Sequence, residues 1–229
     1  MNIEVLSTLY VCLLNGLLTL LLIWMLRRLR APIPTIAGFS AVALGMQASL
    51  VLFIQTKPAA AAGLTSVPFF IVLGGGVVAV ASAIMASDMG RALASGGQLW
   101  LLLPQGLRTL FGAGFLIEGA YGVMPVHFAV SDGITHIVAG TLSLMTAWGL
   151  AQKIVGTRAL WIAHLFGLLD IVVVATGIAF VLLPEIGPFH NIMLAAFFAA
   201  PIFVTLHLMG IRHLLRPSAT PLPALQSRE

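Results

Sequence analysis

Apolar residues along this chain gather into seven long runs instead of the alternating or one-faced patterns of water-soluble elements. The runs cover approximately residues 5–26, 35–55, 67–87, 99–121, 124–150, 159–183 and 190–214. Each is long enough to cross a hydrocarbon core, which takes about 20 residues of helix. Strands of a membrane barrel would alternate apolar and polar positions over about 10 residues, whereas these runs are apolar on every side. Short breaks rich in helix stoppers separate them: APIPT, KPAAAAG, SDMGRALASGG, GVMP, KIVGTR and PEIGP. The pattern predicts an all-α, polytopic transmembrane bundle of seven helices, one domain over residues 1–216. A disordered cytoplasmic tail is expected over 217–229, where PSATPLPALQSRE has too few apolar groups to fold.

Charge adds an orientation. Arg27, Arg28 and Arg30 follow the first run, so it reads as a retained helix and not as a signal peptide, which carries its positive charge ahead of the apolar region. If that cluster faces the cytoplasm, alternation puts Arg91, Lys153, Arg158, Arg212, Arg216 and Arg228 on the same side and leaves Lys57 alone opposite. Trp24, Trp100, Trp148 and Trp161 fall near the cytoplasmic ends of their runs, as an interfacial aromatic belt requires. The expected topology has the N-terminus outside and the C-terminus cytoplasmic.

Composition agrees with the class. The chain is 60% hydrophobic and 8% charged, with a mean hydropathy of +1.09, against about 25% charged residues in soluble domains. The isoelectric point near 10.0 does not point to nucleic acid, because the basic residues border apolar runs and do not form a groove-binding face. Their partner is the lipid bilayer. The single cysteine, Cys12, lies inside the first run, which removes intrachain disulfides, CxxC redox pairs and thiolate metal clusters. No lysine lies within a predicted span, so a retinal Schiff base has no candidate, and HExxH, GxSxG and P-loop motifs are absent from the sequence.

The ionisable residues inside the runs carry the candidate chemistry. A charge at the bilayer centre costs roughly 2.5 kcal/mol or more on insertion scales, which makes each one a functional hypothesis. Counting about 1.5 Å of rise per residue puts His136 about 14 Å below the outer surface, with Asp170 and Arg108 near the same level. They come from consecutive runs with short connections and are therefore expected neighbours. Two readings follow. The three form a polar clamp that fixes helix register, or they form a ligand or proton site in which Asp170 and His136 exchange protons while Arg108 holds an anion. Glu118, His127, Ser131 and Asp132 lie in or near the outer third and are expected to line an entrance. His164 and His207 both fall within about 5–9 Å of the cytoplasmic surface, at one level on facing helices, as ligands of a haem or a transition metal would. His190 and His213 stand at run ends, where solvation or helix capping is expected. Pro104 and Pro201 interrupt two runs, each freeing a carbonyl one turn upstream. Gly74, Gly75 and Gly76 are expected to pack against a neighbouring helix.

From Pro104 to Leu214 the chain resembles a widespread group of bacterial integral membrane proteins without an assigned activity. The resemblance runs through Arg108, Phe111 and Gly114, then PVHFAVSDGITHIVAG at 125–140, WIAHLFGLLDIVVVATG at 161–177 and PIFVTLHL at 201–208. In that group an aspartate usually stands where this chain has His136, an acid is kept at Asp170, and a histidine matches His207. The resemblance implies a shared buried site at these positions and a place in a bacterial cytoplasmic (inner) membrane. A looser comparison with seven-helix metal hydrolases that include alkaline ceramidases fails at the last helix. Those close with an HxxxH pair, while His207 and His213 are six apart and cannot share a face.

Three functions fit these observations. The first is proton-coupled transport, conduction or sensing of a small polar solute or ion through Arg108, His136 and Asp170. The second is an intramembrane haem- or metal-dependent enzyme or electron-transfer protein using His164 and His207. The third is a non-catalytic assembly or sensory subunit, within a homo-oligomer or a membrane complex.

Overall fold

A computed structural model describes residues 3–61 and 63–215. Their helices are α1 (Ile3–Arg28), α2 (Ile33–Thr56), α3 (Ser66–Ala86), α4 (Asp88–Gly96), α5 (Gln98–Ala120), α6 (Val126–Ala151), α7 (Thr157–Ile186) and α8 (Ile192–Leu215). All but α4 are long and apolar enough to cross a membrane, and no strand occurs among the described residues. The chain is a multi-pass helical membrane protein. Its spans begin and end within three residues of the apolar runs, because uninterrupted apolar sequence and helix stoppers carry the same information. The expected tail at 217–229 lies outside the described residues.

The break SDMGRALASGG holds a helix that the run pattern does not mark. Ser87 starts α4 by accepting the Gly90 N–H at 3.4 Å, and Met89 and Leu93 turn a buried face toward the bundle. Gly97, at φ 72°, ends it in a backbone conformation that a side chain would resist.

Between spans in lipid there is little hydrophobic drive, so close van der Waals approach and polar contacts hold the helices together. The α5–α6 pair uses glycine for this. A Cβ on Gly112 would meet the Gly133 carbonyl, one on Gly119 would meet Ala129, and one on Gly140 would meet Thr109. Gly74, Gly75 and Gly76 do the opposite. No atom lies within 4 Å of a Cβ built on any of them, so the expected packing stretch faces away from the protein. α2 is peripheral, with only Ala43 and Ile54 buried, and α8 is the most enclosed span.

Three spans depart from α-helical geometry, each beside a proline. In α5 the segment Leu103–Leu107 is a 3-10 turn containing Pro104. In α7 the segment Ile178–Leu182 is a π turn two residues before Pro184, and in α8 Ala195–Ala199 is a π turn two residues before Pro201. A proline ring clashes with the carbonyl four residues earlier. That residue is Phe180 in α7 and Phe197 in α8, the middle of each π turn, so the widened turn relieves the clash. Carbonyls bordering or within these turns find side-chain donors, as a dry interior demands. Ser66 Oγ donates to the Ala179 carbonyl at 2.6 Å and Asn15 Nδ2 to that of Leu194 at 3.2 Å.

Candidate functional site

The 3-10 turn of α5 hands the chain to Arg108, the first residue of its α-helical remainder, and aims that side chain into the bundle with no exposure. Arg108 Nη2 bonds Asp170 Oδ2 of α7, and Nη1 donates to the Gly167 carbonyl at 2.9 Å and contacts His207 Nε2 of α8 at 3.1 Å. His136 Nδ1 of α6 lies 2.6 Å from the same Asp170 oxygen. The predicted trio is one cluster. A buried charge pair that keeps its partners and hydrogen bonds is tolerated where a lone charge is not.

The cluster continues into the histidine pair. His207 Nδ1 meets His164 Nδ1 at 3.0 Å, and His164 Nε2 meets Gln98 Oε1 at 2.7 Å. Gln98 Nε2 donates to the Gly210 carbonyl at 2.8 Å, which fixes its amide so that Oε1 can only accept. His164 therefore carries its hydrogen on Nε2. From the other end, arginine can only donate, so His207 Nε2 is bare and its hydrogen sits on Nδ1, donated to His164 Nδ1. Both ends impose the same assignment, with both rings neutral and no place for another proton. Gly167 and Gly210 make room for these rings: a Cβ on Gly167 would strike His207, and one on Gly210 would strike His164.

His164 and His207, expected as haem or metal ligands, are thus bonded to each other and fully buried. The Arg108 guanidinium against His207 opposes a metal cation there, and among the described residues no group of three or more His, Cys, Asp or Glu is arranged to hold one.

His136 is the polar edge of a narrow cavity of about 40 Å³, room for a few water molecules at about 10–15 Å³ each. Phe111, Phe115 and Phe203 wall it, together with Ile178 and Ala195 from the two π turns. The Phe115 and His136 rings meet at a tilt of 34° with centroids 5.4 Å apart.

The four expected entrance residues separate. His127 is exposed, 3.8 Å from Glu185, and Ser131 is exposed and donates to Asp132 Oδ2 at 3.1 Å. Asp132 and Glu118 are buried. Asp132 stands one turn before His136 on α6. Glu118 Oε1 accepts from Ser7 Oγ of α1 and from Asn191 Nδ2, the latter at 2.7 Å, and its Oε2 is 3.8 Å from His190 Nε2. Of the two roles expected for His190, between α7 and α8, the structure shows capping: its Nδ1 accepts the N–H of Ile192, the first residue of α8, at 3.3 Å, and burial pushes its imidazole down to about 4.

Gln98, Ser7 and Asn191 were not singled out from the sequence. Ser7 and Asn191 are 184 residues apart, so no local pattern joins them. Gln98 opens its span next to Gly97 and carried a signal only as a polar group at a helix start.

A family model described as Domain of unknown function (DUF8737) matches residues 67–215. Comparison with curated proteins and with solved structures finds no match.

Proposed function

Since the chain belongs to the DUF8737 family, a family of unknown function, we propose from its geometry that it carries out proton-linked transport of a small polar solute or ion. The setting we propose is a bacterial cytoplasmic membrane, with the N-terminus outside. The observation that carries this reading is the buried Arg108–Asp170–His136 cluster at the edge of a cavity walled by two π turns. Such turns recur at functional sites.

The roles follow from what each group can do with a proton. Arg108 stays protonated and cannot pass a proton on, so it closes the route toward His207. The Gln98–His164–His207 arm then serves to orient the guanidinium. His136 lines the cavity and Asp170 stands behind it, so with Nδ1–H turned to Asp170, His136 takes or releases a proton at Nε2. Asp132, one turn earlier on α6, is the next carboxylate along the same face. Loading His136 changes the charge opposite Asp170, and the π turns of α7 and α8 are the elements positioned to respond.

The test is proton flux in liposomes holding the purified protein and a trapped pH dye, driven by an imposed potassium diffusion potential. Flux above that of protein-free liposomes is expected, and its loss in His136→Gln, which spares the Arg108–Asp170 pair. Wild-type flux equal to that of empty liposomes overturns the reading, as does full flux in a folded His136→Gln variant.

A further inference from the structure

Among the carboxylates buried within the spans, Asp170 has Arg108 and needs no proton to be tolerated. Glu118 has no such partner. No lysine or arginine among the described residues lies within 4.0 Å of it, and it is 5% exposed. Its neighbours are the neutral Ser7 and Asn191, and His190. An ionised carboxylate in such surroundings carries a desolvation cost with no counter-charge to offset it.

The hydrogen bonds divide the two carboxyl oxygens. Ser7 Oγ and Asn191 Nδ2 both donate to Oε1, which leaves Oε2 buried and without a partner. That division fits a protonated carboxyl, with Oε1 as its carbonyl-type oxygen and Oε2 as the oxygen open to a proton. His190 is oriented as a hydrogen-bond donor toward that oxygen. Its Nδ1 accepts the Ile192 N–H at 3.3 Å, so in the neutral ring the hydrogen is on Nε2, facing Oε2 at 3.8 Å. One bridging water, or a small approach, completes the contact.

We propose that Glu118, set by Ser7 and Asn191, is a second proton-binding site, separate from the Arg108–Asp170–His136 cluster, with the His190 Nε2–H as the hydrogen-bond donor that holds a bridging water at its open oxygen, the water carrying the proton. Two neighbours link it to the cavity: Phe115 one turn before Glu118, and Ile192 next to Asn191, both line the cavity wall. Other titratable groups of the packed elements are Glu4, one turn before Ser7 on α1, Tyr10, whose hydroxyl is committed to the Leu110 carbonyl at 2.7 Å, Cys12 further along α1, the exposed Tyr121 at the end of α5, Asp132 on α6, and the Arg108 and His136 of the first cluster. The exposed His127–Glu185 pair belongs to the same end. The protonation of Glu118 stands by itself; only its part in coupling rests on the transport reading.

The experiment is infrared difference spectroscopy of the full chain in lipid across a pH titration, reading the C=O stretch of protonated carboxyl groups. At neutral pH a protonated-carboxyl band is expected that disappears in Glu118→Gln and persists in Asp132→Asn. In parallel, wild-type protein treated with a hydrophobic carbodiimide, which modifies protonated buried carboxyls, is expected to carry the adduct on Glu118 by mass spectrometry and not on Asp170. A spectrum unchanged by Glu118→Gln, with Glu118 unlabelled, means an ionised carboxylate and overturns the proposal. Loss of the band on adding sodium ions alone also overturns it, in favour of a metal-cation site. Absent proton flux with an intact Glu118 band would sink the transport reading and leave this site standing.

Discussion

The Arg108–Asp170 pair is the interaction in this bundle most sensitive to a single change. Both side chains are essentially unexposed, so removing one partner strands a charge in a medium that does not solvate it. Arg108→Gln is expected to lower stability by about 3–5 kcal/mol, whereas Arg108→Met combined with Asp170→Leu leaves no buried charge and is expected to recover most of that loss. Thermal unfolding in detergent measures both, and a double variant as unstable as the single one would mean that the pair contributes through its shape. His190 gives a separate signature. Its folded-state value near 4 lies below the ordinary 6.5, so the unfolded chain binds a proton that the folded one refuses. Its contribution to stability is therefore complete above pH 6.5 and is lost as pH falls toward 4, by up to about 3 kcal/mol. His190→Gln is expected to flatten that part of the stability profile, and an unchanged acid slope would assign it to other groups.

At the scale of elements, glycine position and proline position do most of the shaping, and they differ in how far the sequence exposes them. Pro104 and Pro201 are visible as interruptions of apolar runs. That Pro184 belongs inside a span is not visible, because its surroundings, LPEIGP, read as a break, whereas the helix continues to Ile186. Nor does sequence distinguish a glycine that seats another backbone from one that faces out. Gly75 sits in the more conspicuous motif, yet Gly112 is the one in contact. Gly112→Ala puts a methyl against the rigid Gly133 carbonyl and is expected to cost about 1–3 kcal/mol. Gly75→Ala meets nothing and is expected to hold or raise stability by up to about 1 kcal/mol through helix propensity. Equal melting shifts for the two would contradict this account of α5–α6 packing. Depth counting from run ends brought Arg108, His136 and Asp170 to one level, and they meet. The same counting kept His164 and His207 apart from them, because height along a helix carries no rotation, and the Arg108–His207 contact depends on rotation.

For the whole molecule, the family match begins at residue 67, while α1 lies outside it and still supplies Ser7 to the Glu118 cluster and Asn15 to the Leu194 carbonyl. α1 is therefore structurally integral, and α2, with two buried residues, is the peripheral addition. The two polar clusters lie toward opposite ends of α5: Gln98 opens the helix and Glu118 nearly closes it. The direction of any proton movement through the cavity therefore depends on which end faces the cytoplasm. In the proposed orientation the Gln98 end faces the cytoplasm, with Arg27, Arg28, Arg91, Lys153 and Arg158 on that side and Lys57 on the other. In a Cys12→Ser background, a cysteine replacing Lys57 is expected to react with a membrane-impermeant thiol reagent added to intact cells. One replacing Lys153 is expected to react only after permeabilisation. The reverse pattern would turn the bundle over and make the Glu118–His190 cluster the inner port, and labelling of both positions in intact cells would mean that the chain inserts in two orientations.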